Sequence, residues 1–341
     1  MVLLSGSWSV FPQDQRVTKL SESVYTARYP EIICAHCIVP EWDRGYLFHH
    51  EIEKNTDRDN AMVTMYDREG KKVLSGKIWD AQVVNVTVTT AGAARGGGIL
   101  AGAVGIMTDG SIQGFLARTD ATGRTVQSVH TGQFIPRKVC EADDGTVWAL
   151  SRDRYAEPQQ RDDVLRHYSF EKGQLGSYLG LDSLARNGDE VIAILWKSYL
   201  GCAKNRAVVY FGTGEYAEVD SNGKVSRWKV ENAGALGNPR SGFAVTDDGR
   251  VFVGHQNAES ESGRFSRGLY ELVARTGSAA ATLRPIEGTV TSMVAGTAAP
   301  DGQFAQLWGA DGNELVISAT GDQALRWVNM ETVGAAEMAS H

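Results

Sequence analysis

Several apolar runs in this chain end in side chains that can bind charge or move a proton. "FHHEIEKN" ends one with His49, His50 and Glu51, "LSRDRY" ends another with Arg152, Asp153, Arg154 and Tyr155, and "VFVGHQN" ends a third with His255, Gln256 and Asn257. Two more end in Trp196, Lys197 and Tyr199, and in Trp308 and Asp311. A histidine beside a carboxylate supplies a general acid–base pair or part of a divalent-metal set. His50 or His255 with Glu51 or Asp153 would serve if the fold brought them together. Arginine, lysine and tryptophan around a concave mouth suit a polar ligand instead, anionic or sugar-like. The plainer alternative is that polar residues belong at strand ends in any sheet. Adjacent strand residues face opposite ways, so only one of His49 and His50 can face a shared site.

Other motifs carry less. The chain has no GxSxG elbow, no GxxxxGK[ST] loop and no HExxH helix. "GGG" at 96–98 does not open a helix, so it is no phosphate cradle. "NVT" at 85–87 matches a glycosylation acceptor but falls in a strand-like run. "CAHC" places Cys34 and Cys37 three apart in a strand-like segment. Such residues point to opposite faces, which suits neither a disulfide nor joint metal ligation, so buried structural cysteines are expected.

Composition narrows the classes. The 341 residues are 42% apolar and 22% charged, with net charge −7 and no basic stripe. That is a globular profile, in which nucleic acid and anionic membrane are poor partners. No apolar run approaches the ~20 residues of a membrane helix. The N-terminus "MVLLSGSWSVF" lacks a basic region before its short apolar stretch, so the expectation is a cytoplasmic protein or an extracytoplasmic one whose signal has been removed.

The elements that must position those rim residues repeat. One class of turn precedes nearly continuous apolar runs: "WDRGYLFHH", "DDGTVWALS", "NGDEVIAILW", "DDGRVFVGH" and "PDGQFAQLW". A second class precedes alternating runs such as "DREGKKVLSGKI" and "DSNGKVSRWKV". Its glycines, Gly70, Gly123, Gly173, Gly223, Gly277 and Gly321, recur at roughly the length of one propeller blade. Hairpin turns need positive φ, which glycine accepts, and the runs between are rich in Val, Ile, Phe, Trp and Thr. Apolar runs buried on both faces and alternating runs wet on one face fit the inner and outermost strands of stacked four-stranded blades. The predicted fold is all-β, a six-bladed β-propeller of four-stranded antiparallel blades, with seven blades the alternative. The spans are 31–80, 81–133, 134–181, 182–232, 233–288 and 289–330. Residues 1–30 are expected to close the ring, 31–330 to form it, and 331–341 to be a flexible tail. In the second span, Gly98 takes the turn that no acidic residue marks.

"ADDGTVWALSRD" and "VTDDGRVFVGHQN", each followed by a "SNGKV"-like outer turn, resemble the blades of six-bladed propellers in the NHL/TolB-like and SMP-30-like group. The resemblance covers most of the chain and lies in blade grammar, which several functions share. It implies a ligand site at the channel mouth, where second strands end and first strands begin. The candidate set there is His50, Glu51, Arg152, Asp153, Trp196, Lys197, His255, Gln256 and Trp308. The expected function is a non-enzymatic binding propeller, a monomer that holds a small polar ligand or a protein partner, with no cofactor. The alternative is a metal-dependent lactonase-like hydrolase, or a lyase, using Ca²⁺ or Zn²⁺ at the same mouth. SMP-30-like lactonases bind their ion through inward carboxylates and amides, and no such set is evident in the first strands here.

Overall fold

The computed structural model describes residues 16–28, 41–50, 61–153, 163–180, 194–233, 242–258, 265–274, 277–286, 304–319 and 324–334. They are almost wholly β. β1 is Arg16–Arg28. One antiparallel sheet is β2 (Glu41–Asp43), β3 (Tyr46–His50), β4 (Met62–Tyr66) and β5 (Lys72–Lys77). The next is β6 (Val83–Ala93), β7 (Ile99–Met107), β8 (Ile112–Thr119) and β9 (Thr125–Gly132). A third is β10 (Lys138–Glu141), β11 (Val147–Leu150), β12 (Asp163–Ser169) and β13 (Gly173–Gly180). Then come β14 (Tyr199–Ala203), β15 (Arg206–Tyr210), β16 (Glu215–Asp220) and β17 (Val225–Val230). They share an eight-stranded sheet with β18 (Phe243–Val245), β19 (Val251–Ala258), β20 (Phe265–Ala274) and β21 (Ala280–Pro285). The ladder between the two halves is a parallel pairing of Lys229 with Ala280 and Val230 with Ala281, and the Asn232 amide brackets the Leu283 backbone beside it. The last sheet runs β22 (Phe304–Asp311), β23 (Glu314–Ala319), β24 (Ala324–Gly334) and β1, whose Arg16 pairs with Gly334. This is a β-propeller arrangement of four-stranded antiparallel sheets.

The glycine turns form as the sequence predicts. Gly70, Gly123, Gly173, Gly223 and Gly277 all have φ between 74° and 87°, at or just before each outermost strand. Gly321 lies outside the described residues. Gly123 also needs its missing side chain, because a Cβ there would sit 2.3 Å from the Ser75 carbonyl of the neighbouring sheet. Gly173 has the same conformation with open space around it. Gly123→Ala is therefore expected to cost about 2–4 kcal/mol and Gly173→Ala about 1 kcal/mol, read from urea denaturation midpoints. Equal losses would show that backbone strain alone decides both.

Two turns fall elsewhere than the sequence predicts. "EVIAILW" reads as a second strand, but Ile194, Leu195 and Trp196 form a single helical turn ahead of β14. The next hairpin, β14–β15, turns at Lys204, which takes φ 54° without a glycine to mark it. "QFAQLW" likewise reads as a second strand after Asp301-Gly302. It belongs to β22, the first strand of its sheet, and the hairpin closes at Gly312 (φ 60°).

Sheets pack face to face through apolar layers. Val63, Met65 and Phe48 meet Ile99, Ala101 and Phe115 between the first two sheets. Trp148 and Leu165 meet Val209 and Val219 further on. Trp42 and Leu47 meet Val316 and Trp327, bringing the first sheet against the last. Edge strands of these sheets touch in a closed circuit: β2 to β6, β6 to β10, β10 to β14, β14 to β18, β18 to β22, and β22 to β2.

One buried histidine sits in this packing. His167 stacks on Trp148 with ring centroids 3.9 Å apart, and its Nε2 lies 2.7 Å from Thr146 Oγ1. Thr146 gives its hydroxyl proton to Asp144 (2.6 Å), so the imidazole must donate to Thr146. Burial holds its pKa below the ordinary value, against the pull of Asp144. The unfolded state then binds this proton first. The stability His167 contributes is full above about pH 6.5 and falls as the pH drops from there towards the folded-state value. His167→Gln is expected to flatten the loss of stability between pH 7 and 5.5, measured by chemical denaturation at each pH. An unchanged slope would remove His167 from the account.

Candidate functional site

The first strands enclose a central cavity of about 470 Å³. Carboxylates from neighbouring sheets cover part of one inward edge. Along β6, alternate N–H groups point to the axis and find carboxylates. Ala91 donates to Glu41 (2.6 Å), Ala93 to Asp43 (2.8 Å), and Arg95, just past the strand, to Glu141 (2.7 Å). Glu41 also accepts from the Thr90 hydroxyl at 2.7 Å and from Lys138 Nζ at 3.2 Å. Burial pushes the Asp43 carboxyl up, opposed by Arg44 and the Ala93 N–H and reinforced by Glu41.

Each junction between first strands has its own chemistry. Between β6 and β10, Arg118 pairs with Glu141 and Arg95 with Asp143 (2.7 Å). Between β10 and β14 there is a Cys140–Cys202 disulfide, and Asp143 N donates to the Lys204 carbonyl at 2.8 Å. Tyr199 stacks on Phe243 (5.6 Å) where β14 meets β18. Gly242 pairs in parallel with Leu307 where β18 meets β22. Trp42 Nε1 donates to the Ala310 carbonyl (3.1 Å) where β22 returns to β2. Three first-strand carboxylates, Glu41, Asp43 and Glu141, thus line or brace the axis, where no such set is visible in the sequence. "EWDRG" presents the first two as turn flanks, and only the β6 edge they bond reveals their direction.

The predicted site residues fall in different places. Trp308 lines the cavity from β22 and donates Nε1 to Ser318 Oγ at 2.9 Å. Trp196 is 70% exposed, and with Lys197 it stands just before β14, whose residues line the cavity. Asp153 follows β11 and pairs with Arg166 at 2.8 Å, while Arg152 Nε donates to the Asp153 carbonyl (3.3 Å). His255 lies inside β19, which runs on to Ala258. It is buried between the rings of Tyr210 and Tyr270, with Tyr210 Oη 3.0 Å from its Nε2. Gln256 pairs with Arg267 in the same ladder. His50 ends β3 opposite Val63, and Glu51 lies outside the described residues, as do Cys34 and Cys37. No described contact joins Arg152, Lys197 and His255. Among the described residues, no group of three or more His, Cys, Asp or Glu side chains could hold a metal ion, and no helix is long and apolar enough to cross a membrane.

No family model matches the chain, and no curated protein matches it. Solved structures do. The BBS1N structure in complex with ARL6DN matches at 12% identity over 79% of this chain and 72% of that one, TM-score 0.44. A mitotic checkpoint complex chain matches at 8% identity over 95% and 98%, TM-score 0.45. The luciferin-regenerating enzyme matches at 12% identity over 94% and 95%, TM-score 0.43. Function therefore rests on the site alone.

Proposed function

We propose that the chain is a six-bladed propeller, closed by its N-terminal strand, that binds a small polar ligand in its central cavity as a monomer and without chemistry of its own. The closed circuit of first-strand contacts supports the blade count. So does the thinness of the β17–β21 pairing, which resembles the single Lys77–Arg124 bridge linking the outer strands β5 and β9. On this reading residues 31–330 form the ring and segment 1–30 completes the last blade through β1, while β24 runs on to Gly334 and so takes four residues from the tail expected at 331–341.

The cavity carries the functional reading. Its volume suits a small molecule, and Glu41, Lys138, Tyr199, Gln306 and Trp308 bring acid, base, amide and aromatic groups to one space. A thermal-shift screen of polar metabolites tests it. A ligand present at 100 times its Kd adds about 2.7 kcal/mol of stability. At least one compound class is expected to raise the melting temperature, and Gln306→Trp, which fills the cavity, is expected to abolish that rise. A shift that survives the filled cavity, or no shift across the screen, overturns the reading.

A further inference from the structure

We propose that the central cavity takes a zwitterion with an apolar body, of the α-amino-acid kind, its two charges held by Glu41 and Lys138 and its side chain lying on the opposite wall. This deepens the cavity-binding reading and rests on it. The wall divides into two halves around the circuit of edge strands. From β2, β6 and β10 come Glu41, Asp43, Thr90 and Lys138. The lining residues of β14, β18 and β22 carry no formal charge, and Lys204 and Asp247 come only at the turns beyond the strands. On that side Tyr199 stacks on Phe243 with the rings 14° from parallel. Trp308 gives its Nε1–H to Ser318 within its own sheet, so what it offers the cavity is ring carbon. Leu200 and Leu307 extend the same wall. Aromatic and aliphatic surface of this kind suits the apolar body of a ligand.

The charges on the other side are held in place. Glu41 Oε2 accepts from the Ala91 N–H and from the Thr90 hydroxyl, which fixes the carboxylate. Its Oε1 then meets Lys138 Nζ at 3.2 Å. That contact uses one of the three ammonium donors. Asp43, two residues further along β2, falls on the same side of the strand and bonds the Ala93 N–H. A lone anion drawn to Lys138 therefore also meets Glu41 and Asp43. A lone cation drawn to Glu41 also meets Lys138. In both, repulsion offsets attraction. A ligand with both signs on neighbouring groups sets each of its charges against the opposite one of the pair. A neutral hydroxylated compound avoids the repulsion as well, but charge-assisted hydrogen bonds are roughly twice as strong as neutral ones.

Isothermal titration at low ionic strength tests this with L-phenylalanine and L-leucine. The controls are phenethylamine and 3-phenylpropionate, which each lack one charge, glycine, which lacks the apolar body, and glucose, which is neutral. Saturable binding of at least one of the two amino acids is expected, tighter by about tenfold or more than either single-charge analogue. Glycine and glucose are expected not to bind. Lys138→Met keeps most of the stem and removes the cation, so it should weaken the amino acid and bind phenethylamine more tightly than the parent does. Glu41→Gln still accepts from Ala91 and Thr90, and it should favour 3-phenylpropionate instead. A merely structural pair would lower the melting temperature in both variants without inverting that preference. No saturable binding of either amino acid, equal binding of a single-charge analogue, or an unchanged ranking in both variants overturns the proposal. Gln306→Trp separates the two readings. If a neutral compound is lost with Gln306→Trp while neither amino acid binds, the cavity reading stands and the zwitterion falls. If amino acid binding depends on Lys138 but ignores the filled cavity, the charge pair stands and the cavity reading falls.

Discussion

Replacing Glu141 with alanine is expected to lower the unfolding free energy by about 3–5 kcal/mol, measured by urea titration. Its side chain has no exposure and pairs with Arg118, whose own side chain is only 19% exposed. The same carboxylate accepts the Arg95 N–H, and the carbonyl of Glu141 accepts from Arg44. Three sheets therefore meet at one residue of β10. Alanine strands a mostly buried guanidinium and a backbone donor together, and that uncompensated charge is what makes the loss large. Burial already pushes the Glu141 carboxyl up against the pull of the Arg95 N–H, Arg118 and Arg44. A neutral glutamine, which still accepts from Arg95, is accordingly expected to cost less than alanine. A Glu141→Leu, Arg118→Leu double variant should recover part of the alanine loss by removing both charges. A loss below about 1 kcal/mol for alanine would mean that Arg118 finds water or another acceptor on relaxation.

What the sequence makes legible is the repeating part. Turn chemistry is local, so Gly70, Gly123, Gly173, Gly223 and Gly277 announce their hairpins wherever they stand. The same locality explains the misses. The β14–β15 turn uses Lys204 in a left-handed conformation, so no glycine marks it and "NGDE" upstream carries the stronger turn signal. Asp301-Gly302 and Asp311-Gly312 look alike, and only the pairing of β22 with β23 separates them. The change from Gly254 to His255 looks like a strand end, yet the ladder continues and Tyr210 of β15 satisfies the imidazole. Junction chemistry is harder still. Glu41 and Asp43 have meaning only against the β6 edge, about fifty residues away, and the device changes around the circuit from carboxylates to a disulfide to stacked rings. A blade repeats because each must stack. The contacts between first strands need only be satisfied, and any chemistry that covers an open strand edge will serve.

The Cys140–Cys202 disulfide makes the second large prediction. It joins the first strands of adjacent sheets across a junction that has no strand ladder, and it closes a sequence separation of 62 residues. On the chain-entropy account, releasing a loop of that length costs about 4 kcal/mol. The Cys140→Ser, Cys202→Ser double variant is expected to lose that amount in urea denaturation. Reduction by a dithiol should destabilise the parent equally and leave the double variant unchanged, which separates the bridge from side effects of either serine. The bridge also bears on the cavity, since both cysteines line its wall. Loosening β10 from β14 should move Lys138 relative to Tyr199, which face the cavity from those strands. Reduced protein is thus expected to give a smaller thermal shift with any cavity ligand while its neighbouring junctions hold. If stability falls by less than about 1 kcal/mol, the apolar layer that sets Trp148 and Leu165 against Val209 and Val219 holds this junction by itself.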